Sequence, residues 1–138
     1  MAGKLRLVVV TPEGKTFDDD VEQVVMPGVE GQLGILPGHV PLLTAIQPGE
    51  LDLKAGSRGD ELAVGGGFAE VAGDRVTILT DMAVKPQDID EHAVEKALES
   101  AKKALLEKKD GPEAAAMMAL IQKSMAQLNL KRKRRTNA

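Results

Sequence analysis

The residues best suited to chemistry cluster in GVEGQLGILPGHVPLLTAIQPG, positions 28 to 49, where Gly28, Gly31, Gly34 and Gly38 could cradle a phosphate and His39 could move a proton. Neither possibility completes a motif. No Gly-Lys-Ser/Thr follows these glycines, as a Walker loop requires, and their spacing is not G-x-G-x-x-G. The run Gly65, Gly66, Gly67 also lacks a following lysine or serine. His39 shares the chain only with His92, in a different segment, and there is no cysteine. No histidine–thiolate set therefore reaches the ligand number and spacing of a metal centre. Ser57 lies in a Gly-Ser-Arg-Gly turn, not a nucleophile elbow, and the consecutive Asp18, Asp19 and Asp20 read as a solvated loop. With no nucleophile, base and oxyanion donor brought together, we expect no catalytic residue and no metal. The glycines are expected to serve tight turns and close backbone packing, and His39 to be a hydrogen-bonded structural residue.

The 138 residues fit one domain, or one small domain with an appendage. Aromatic residues make up 1% of the chain, so the core must be built from Val, Leu, Ile, Ala and Met. No apolar run approaches the roughly 18 residues that would suggest a membrane span. The start MAGKLRLVVV has neither an h-region nor a small-residue cleavage site and is expected to run directly into a strand at a cytoplasmic N-terminus.

Up to about Thr80, short β-branched or alternating runs predict strands over 5–10, 21–26, 50–54, 61–65, 68–73 and 75–80. Turn signals separate them at Pro12–Gly14, Gly28, Pro48–Gly49, Ser57–Gly59 and Gly73–Asp74. No helical pattern alternates with these strands, which excludes a doubly wound parallel sheet and predicts a sandwich or barrel. From Asp88 the period changes. Ile89, Ala93, Val94, Ala97, Leu98, Ala101, Ala104 and Leu105 fall on one helix face, with Asp88 and Glu91 resembling a capping box. Lys109-Asp110-Gly111-Pro112 should end this helix and open a second, whose apolar face is expected to be Ala114, Met117, Met118, Ile121, Met125 and Leu128. The expected class is therefore α+β: a flattened β-sandwich or barrel over residues 1–85, then a two-helix hairpin with a basic tail over 86–138.

Charge follows the same division. Residues 1–84 carry 6 basic and 13 acidic side chains, whereas 85–138 carry 12 basic and 8 acidic. Such asymmetry suggests two bodies with different partners. The tail Lys131, Arg132, Lys133, Arg134, Arg135 could meet nucleic acid or anionic lipid. It has no neighbouring aromatics for base stacking, so a frayed terminus or a contact to an acidic protein surface is the better match. From the residues alone, the chain is a non-catalytic β module with a detachable helical hairpin.

The quoted segment also resembles the signature of the epsilon subunits of F-type ATP synthases, roughly EG-x-LGI-x-PGH-x-PL-T. The resemblance continues through Gly65-Gly66-Gly67-Phe68, residues 76–80 and Asp88 to Glu91, covering essentially the whole chain. It implies a β-sandwich with a C-terminal helical hairpin, and a non-catalytic central-stalk role. The implied partners are the gamma subunit, the c-subunit ring, and the beta and alpha subunits of the catalytic head. The implied place is the cytoplasmic side of a bacterial inner membrane, bound peripherally. By the same resemblance Glu30, Gln32 and His39 occupy the end that docks on the c ring and gamma. Lys102, Lys103, Lys108, Lys109 and the cluster from Lys131 to Arg135 are candidate contacts to an acidic loop when the hairpin extends and inhibits ATP hydrolysis. Some relatives bind ATP through I/L-D-x-x-R-A. Ile89 and Asp90 keep two of those positions and are the candidate nucleotide contacts. Ala93 replaces the arginine, Val94 the alanine, Val84 an upstream acid, and Lys123 and Gln127 two further arginines. Without the guanidinium a triphosphate loses its main charge partner, so no cofactor is expected. The contrasting possibility is a free-standing β-sandwich adaptor whose basic tail binds nucleic acid or anionic lipid.

Overall fold

The computed structural model describes residues 3–56, 58–107 and 110–137. Ser57, Lys108 and Lys109 lie outside the described residues, as do the side chains of Arg134 and Arg135. Among the described residues ten strands precede two helices: β1 (Leu5–Thr11), β2 (Gly14–Val21), β3 (Gln23–Gly28), β4 (Gly31–Ile35), β5 (Leu42–Ile46), β6 (Gly49–Ala55), β7 (Arg58–Val64), β8 (Gly67–Ala72), β9 (Arg75–Thr80) and β10 (Ala83–Val84). A 3-10 turn, Pro86–Asp88, leads into α1 (Glu91–Glu107) and α2 (Gly111–Asn137).

The strand path runs β10-β7-β6-β3-β5-β8-β9-β1-β2, with β4 paired to β3. It turns a corner where β3 touches β5 through the single pair Gly28 and Ile46, which folds the sheet into two facing layers. Alternation does the rest. Leu7, Val9, Val24, Met26, Leu51, Leu62, Val64, Val76 and Ile78 are at most 2% exposed and fill the space between the layers. The expected α+β architecture, a flattened sandwich followed by a helical hairpin, is the one observed.

Several elements differ from the sequence reading. Asp18, Asp19 and Asp20 belong to no loop: they lie in β2, an edge strand paired antiparallel to β1. Arg6 Nε donates to Asp18 Oδ1 at 2.8 Å, Arg6 Nη1 reaches Asp20 Oδ1 at 3.4 Å, and Lys15 Nζ donates to Asp18 Oδ2 at 3.2 Å. Lys15, with Arg6, holds the Asp18 carboxyl below its ordinary value. A charged strand suits a sheet edge because it discourages pairing with another chain. The segment 28–49, read as a set of turns, holds β4 and β5, with Gly31 (φ 129°) turning β3 into β4. Only at Gly31 and Gly38 (φ 87°) does that segment use the left-handed backbone open to glycine.

The cap of α1 is also displaced. The Ala93 N–H donates to Asp90 Oδ1 at 3.1 Å, so Asp90 is the N-cap, and Asp88 ends the preceding 3-10 turn. Gly111 takes the left-handed φ of 87° that starts the reversal into α2. With 17 and 27 residues, the helices span about 25 Å and about 40 Å at 1.5 Å per residue. The longer α2 lies along α1 and also packs on β6 and β7. It therefore has two working faces, not one. The row 121, 124, 128, 132 points to α1, where Arg132 meets Glu91 and Glu95 at 3.1 and 2.7 Å. The row 123, 126, 130, 133 points to the sandwich, where Leu130, 1% exposed, joins Ala63 and Ile89. The expected stripe misses this second row, and Met118 and Met125 are about half exposed, at 52% and 47%.

Candidate functional site

The sandwich has two outer faces with different surroundings. Over β6 and β7 lie α2 and a small apolar cluster of Ala63, Ile89 and Leu130, with Met82, Val84 and Val94 against it. The other outer face is formed by β5, β8, β9 and β1. Cross-strand pairing there sets Ala45 opposite Phe68, Phe68 opposite Leu79 and Leu79 opposite Val10. Phe68 is 58% exposed, Leu79 53% and nearby Leu43 70%. In β8 and β9 the inward positions are Ala69, Val71, Val76 and Ile78, so these outward side chains are apolar without serving the core. A contiguous exposed apolar surface on a folded domain marks an interaction site. Alternation in short apolar strands does not say which face has a partner, so the sequence does not mark this surface.

At one end of the same body, the β3–β4 and β4–β5 connections expose Val29, Leu36 and Val40. Glu30 and Gln32 line one groove of about 270 Å³ together with Gly28, Leu33, Leu42 and Thr44. His39 is not among the residues lining that groove. Its ring Nδ1 lies 2.7 Å from the Val40 carbonyl oxygen, and its N–H donates to the Leu36 carbonyl at 3.1 Å. His39 thus braces its own loop, while Glu30 and Gln32 face outward.

The two candidate nucleotide contacts point to different tasks here. Ile89 is buried against Ala63 and Leu130, and Asp90 caps α1. Lys123 donates to Asp81 Oδ2 at 3.2 Å. Lys102 and Lys103 are exposed on α1. Among the described side chains of the basic tail, three are engaged within the chain. Lys131 Nζ donates to the Pro86 carbonyl at 3.1 Å, Arg132 bridges Glu91 and Glu95, and Lys133 Nζ donates to Glu50 Oε1 at 2.9 Å. Glu50, Asp52 and Glu61 form a carboxylate cluster that no spacing in the sequence announces, with one oxygen of each within 4.8 Å of the others. Pairing of β6 with β7 assembles it.

Against known proteins, the family model for the ATP synthase delta/epsilon chain β-sandwich domain matches residues 4–86. The ATP synthase epsilon chain of Dehalococcoides mccartyi is 42% identical over 136 residues, covering 96% of this chain and 95% of the relative. That of Syntrophobacter fumaroxidans is 40% identical over 133 residues, covering 96% and 99%. Among solved structures, a chain of the Euglena gracilis mitochondrial ATP synthase OSCP/F1/c-ring assembly superposes with a TM-score of 0.76 at 25% identity, covering 91% of this chain and 79% of that one. A chain of the Tetrahymena thermophila mitochondrial ATP synthase central stalk and c-ring shares the fold, with a TM-score of 0.58 at 14% identity, covering 96% and 97%.

Proposed function

The chain belongs to the ATP synthase epsilon chain family, whose members are non-catalytic subunits of that complex, and from this we propose that it is a central-stalk rotor part of a bacterial proton-translocating F-type enzyme. In this reading it couples rotation of the c-subunit ring to the catalytic head. The observation that carries the proposal is the apolar row Ala45, Phe68, Leu79 and Val10 on the face opposite the hairpin, with Phe68 and Leu79 exposed and Ala45 and Val10 half-buried beside them. It gives gamma a broad, stiff docking surface. The end bearing Glu30 and Gln32, braced by His39, then meets the c ring, and torque passes through a loop stiffened by Pro37 and Pro41. No helix among the described residues is long and apolar enough to cross a membrane. Peripheral attachment at the cytoplasmic face of the inner membrane, through gamma and the c ring, follows from the same reading. The adaptor alternative loses ground because the chain matches ATP synthase epsilon chains along 95% and 99% of their own length.

The hairpin is the inhibitory element of this reading. Released from the sandwich, it extends towards the alpha and beta subunits of the head, and its basic side chains meet an acidic loop there. Deleting residues 88–138 should raise ATP hydrolysis by the assembled complex. Unchanged hydrolysis, with normal assembly, would remove the inhibitory role. We also propose that the hairpin does not sense ATP, because Ala93 stands where nucleotide-binding relatives have arginine, and Asp90 is committed to capping α1. Titration calorimetry of the full chain should give no heat of ATP binding in the sub-millimolar range; a clear isotherm there would overturn this.

A further inference from the structure

The basic tail is the segment proposed to meet an acidic partner, yet here it is held by acids of its own chain. Two kinds of contact hold it. Arg132 binds Glu91 and Glu95 within the hairpin, a contact that survives if both helices move together. Lys123 with Asp81, and Lys133 with Glu50 and Glu61, join hairpin to sandwich and must break when the hairpin lifts. Lys133 sits 2.9 Å from Glu50 and 3.3 Å from Glu61, at the far end of α2. Asp52 completes the cluster, and its Oδ1 is buried without a hydrogen-bond partner. Two carboxylates thus meet one lysine side chain with a third carboxylate beside them, an arrangement that pulls on a cation but keeps excess negative charge. The apolar contact beneath is small and separate from the sandwich core, so the ion pairs add to a limited apolar contact.

We propose that Glu50 and Glu61 are a latch that sequesters the basic end of α2, so that the sandwich and the catalytic head compete for the same cationic residues. This rests on the reading that the hairpin extends to inhibit. The latch makes release of the hairpin sensitive to ionic strength, since half-exposed ion pairs are screened by salt. It also makes the sandwich, remote from the head, a determinant of inhibition.

Docking can be read in the full chain alone. The sequence has no cysteine, so a fluorophore pair at exposed Gln47 and Asn129, introduced as Gln47→Cys and Asn129→Cys, reports separation of hairpin and sandwich. Glu50→Gln with Glu61→Gln should raise the undocked fraction about three- to tenfold at low salt. The unsubstituted chain should approach that value as salt rises from about 50 to about 500 mM. Reversing both sides, Lys133→Glu with Glu50→Lys and Glu61→Lys, should restore docking. Equal undocked fractions in all variants at all salt concentrations would overturn the latch. In the assembled complex the Glu50→Gln, Glu61→Gln chain should inhibit hydrolysis more strongly, because its tail keeps every charge. If deletion of 88–138 relieves inhibition but this double variant neither undocks nor inhibits further, the latch fails and the inhibitory reading stands. If the variant undocks but deletion changes nothing, the latch stands and the inhibitory reading fails.

Discussion

Gly67→Ala is expected to disrupt the sandwich. A methyl group at this position would run into the Leu79 carbonyl oxygen and come within 2.9 Å of the Leu79 carbonyl carbon and Thr80 Cα. All of these are backbone atoms of the neighbouring strand, so no side chain can swing aside. Relief requires breaking the pairing of Gly67 with Thr80, where β8 joins β9. Overpacking costs about 1–3 kcal/mol when a core can adjust, and occasionally more; this site adjusts least, so a loss above about 3 kcal/mol is expected. Set against a total stability of about 5–15 kcal/mol, that should lower the melting temperature by more than about 12 °C. Gly66→Ala is the control. Its nearest neighbour would be the Ile46 carbonyl oxygen at 3.6 Å, an ordinary contact, and its cost should stay below about 1 kcal/mol. Thermal unfolding followed by circular dichroism checks both, and a Gly67→Ala melt within about 2 °C of the unsubstituted chain would contradict the steric account.

One residue further along, Phe68→Asp should leave folding almost untouched and strongly weaken assembly. The Phe68 side chain points away from the core, 58% exposed in the middle of the apolar row, so the monomer should change by no more than about 0.5 kcal/mol. A gamma subunit docked on that row would have to bury a carboxylate beside Leu79 and Ala45. Central aromatic anchors contribute about 2 kcal/mol or more to an interface, equivalent to about 30-fold or more in affinity. Co-purification and binding measurements with gamma should show that loss at unchanged melting temperature. Full binding by the variant would move the docking surface elsewhere on the sandwich. Neighbouring residues thus separate fold from function, because successive side chains of a strand point to opposite faces.

The sequence was legible where one element carries one strong period. The core strands 5–10, 61–65 and 75–80 and the face of α1 with Leu98 and Ala101 are there to be read, because burial repeats every two or every three to four residues. It was less legible where structure depends on a partner distant in the chain. The acidic β2 reads as a loop because its stability comes from Arg6 and the strand beside it, not from its own propensity. β4 and β5 hide among glycines and prolines, whose turn preferences dominate a local reading. The second face of α2 escapes notice because it begins and ends in lysines, and lysine is ordinarily solvated.

What the sequence determined by itself is the division into a strand-rich body and a helical hairpin, the absence of an assembled catalytic constellation in its motifs, and the family. Each of these is written in local periodicity, residue inventory or ordered motifs. What only the tertiary structure decided is which face of the sandwich stays apolar and open, which row of α2 meets the sheet, and that Lys133 reaches Glu50 across 83 positions of chain. Local pattern records that a residue has a partner side. The identity of that partner is set by strand pairing and helix docking, which bring together charges that the chain itself keeps far apart.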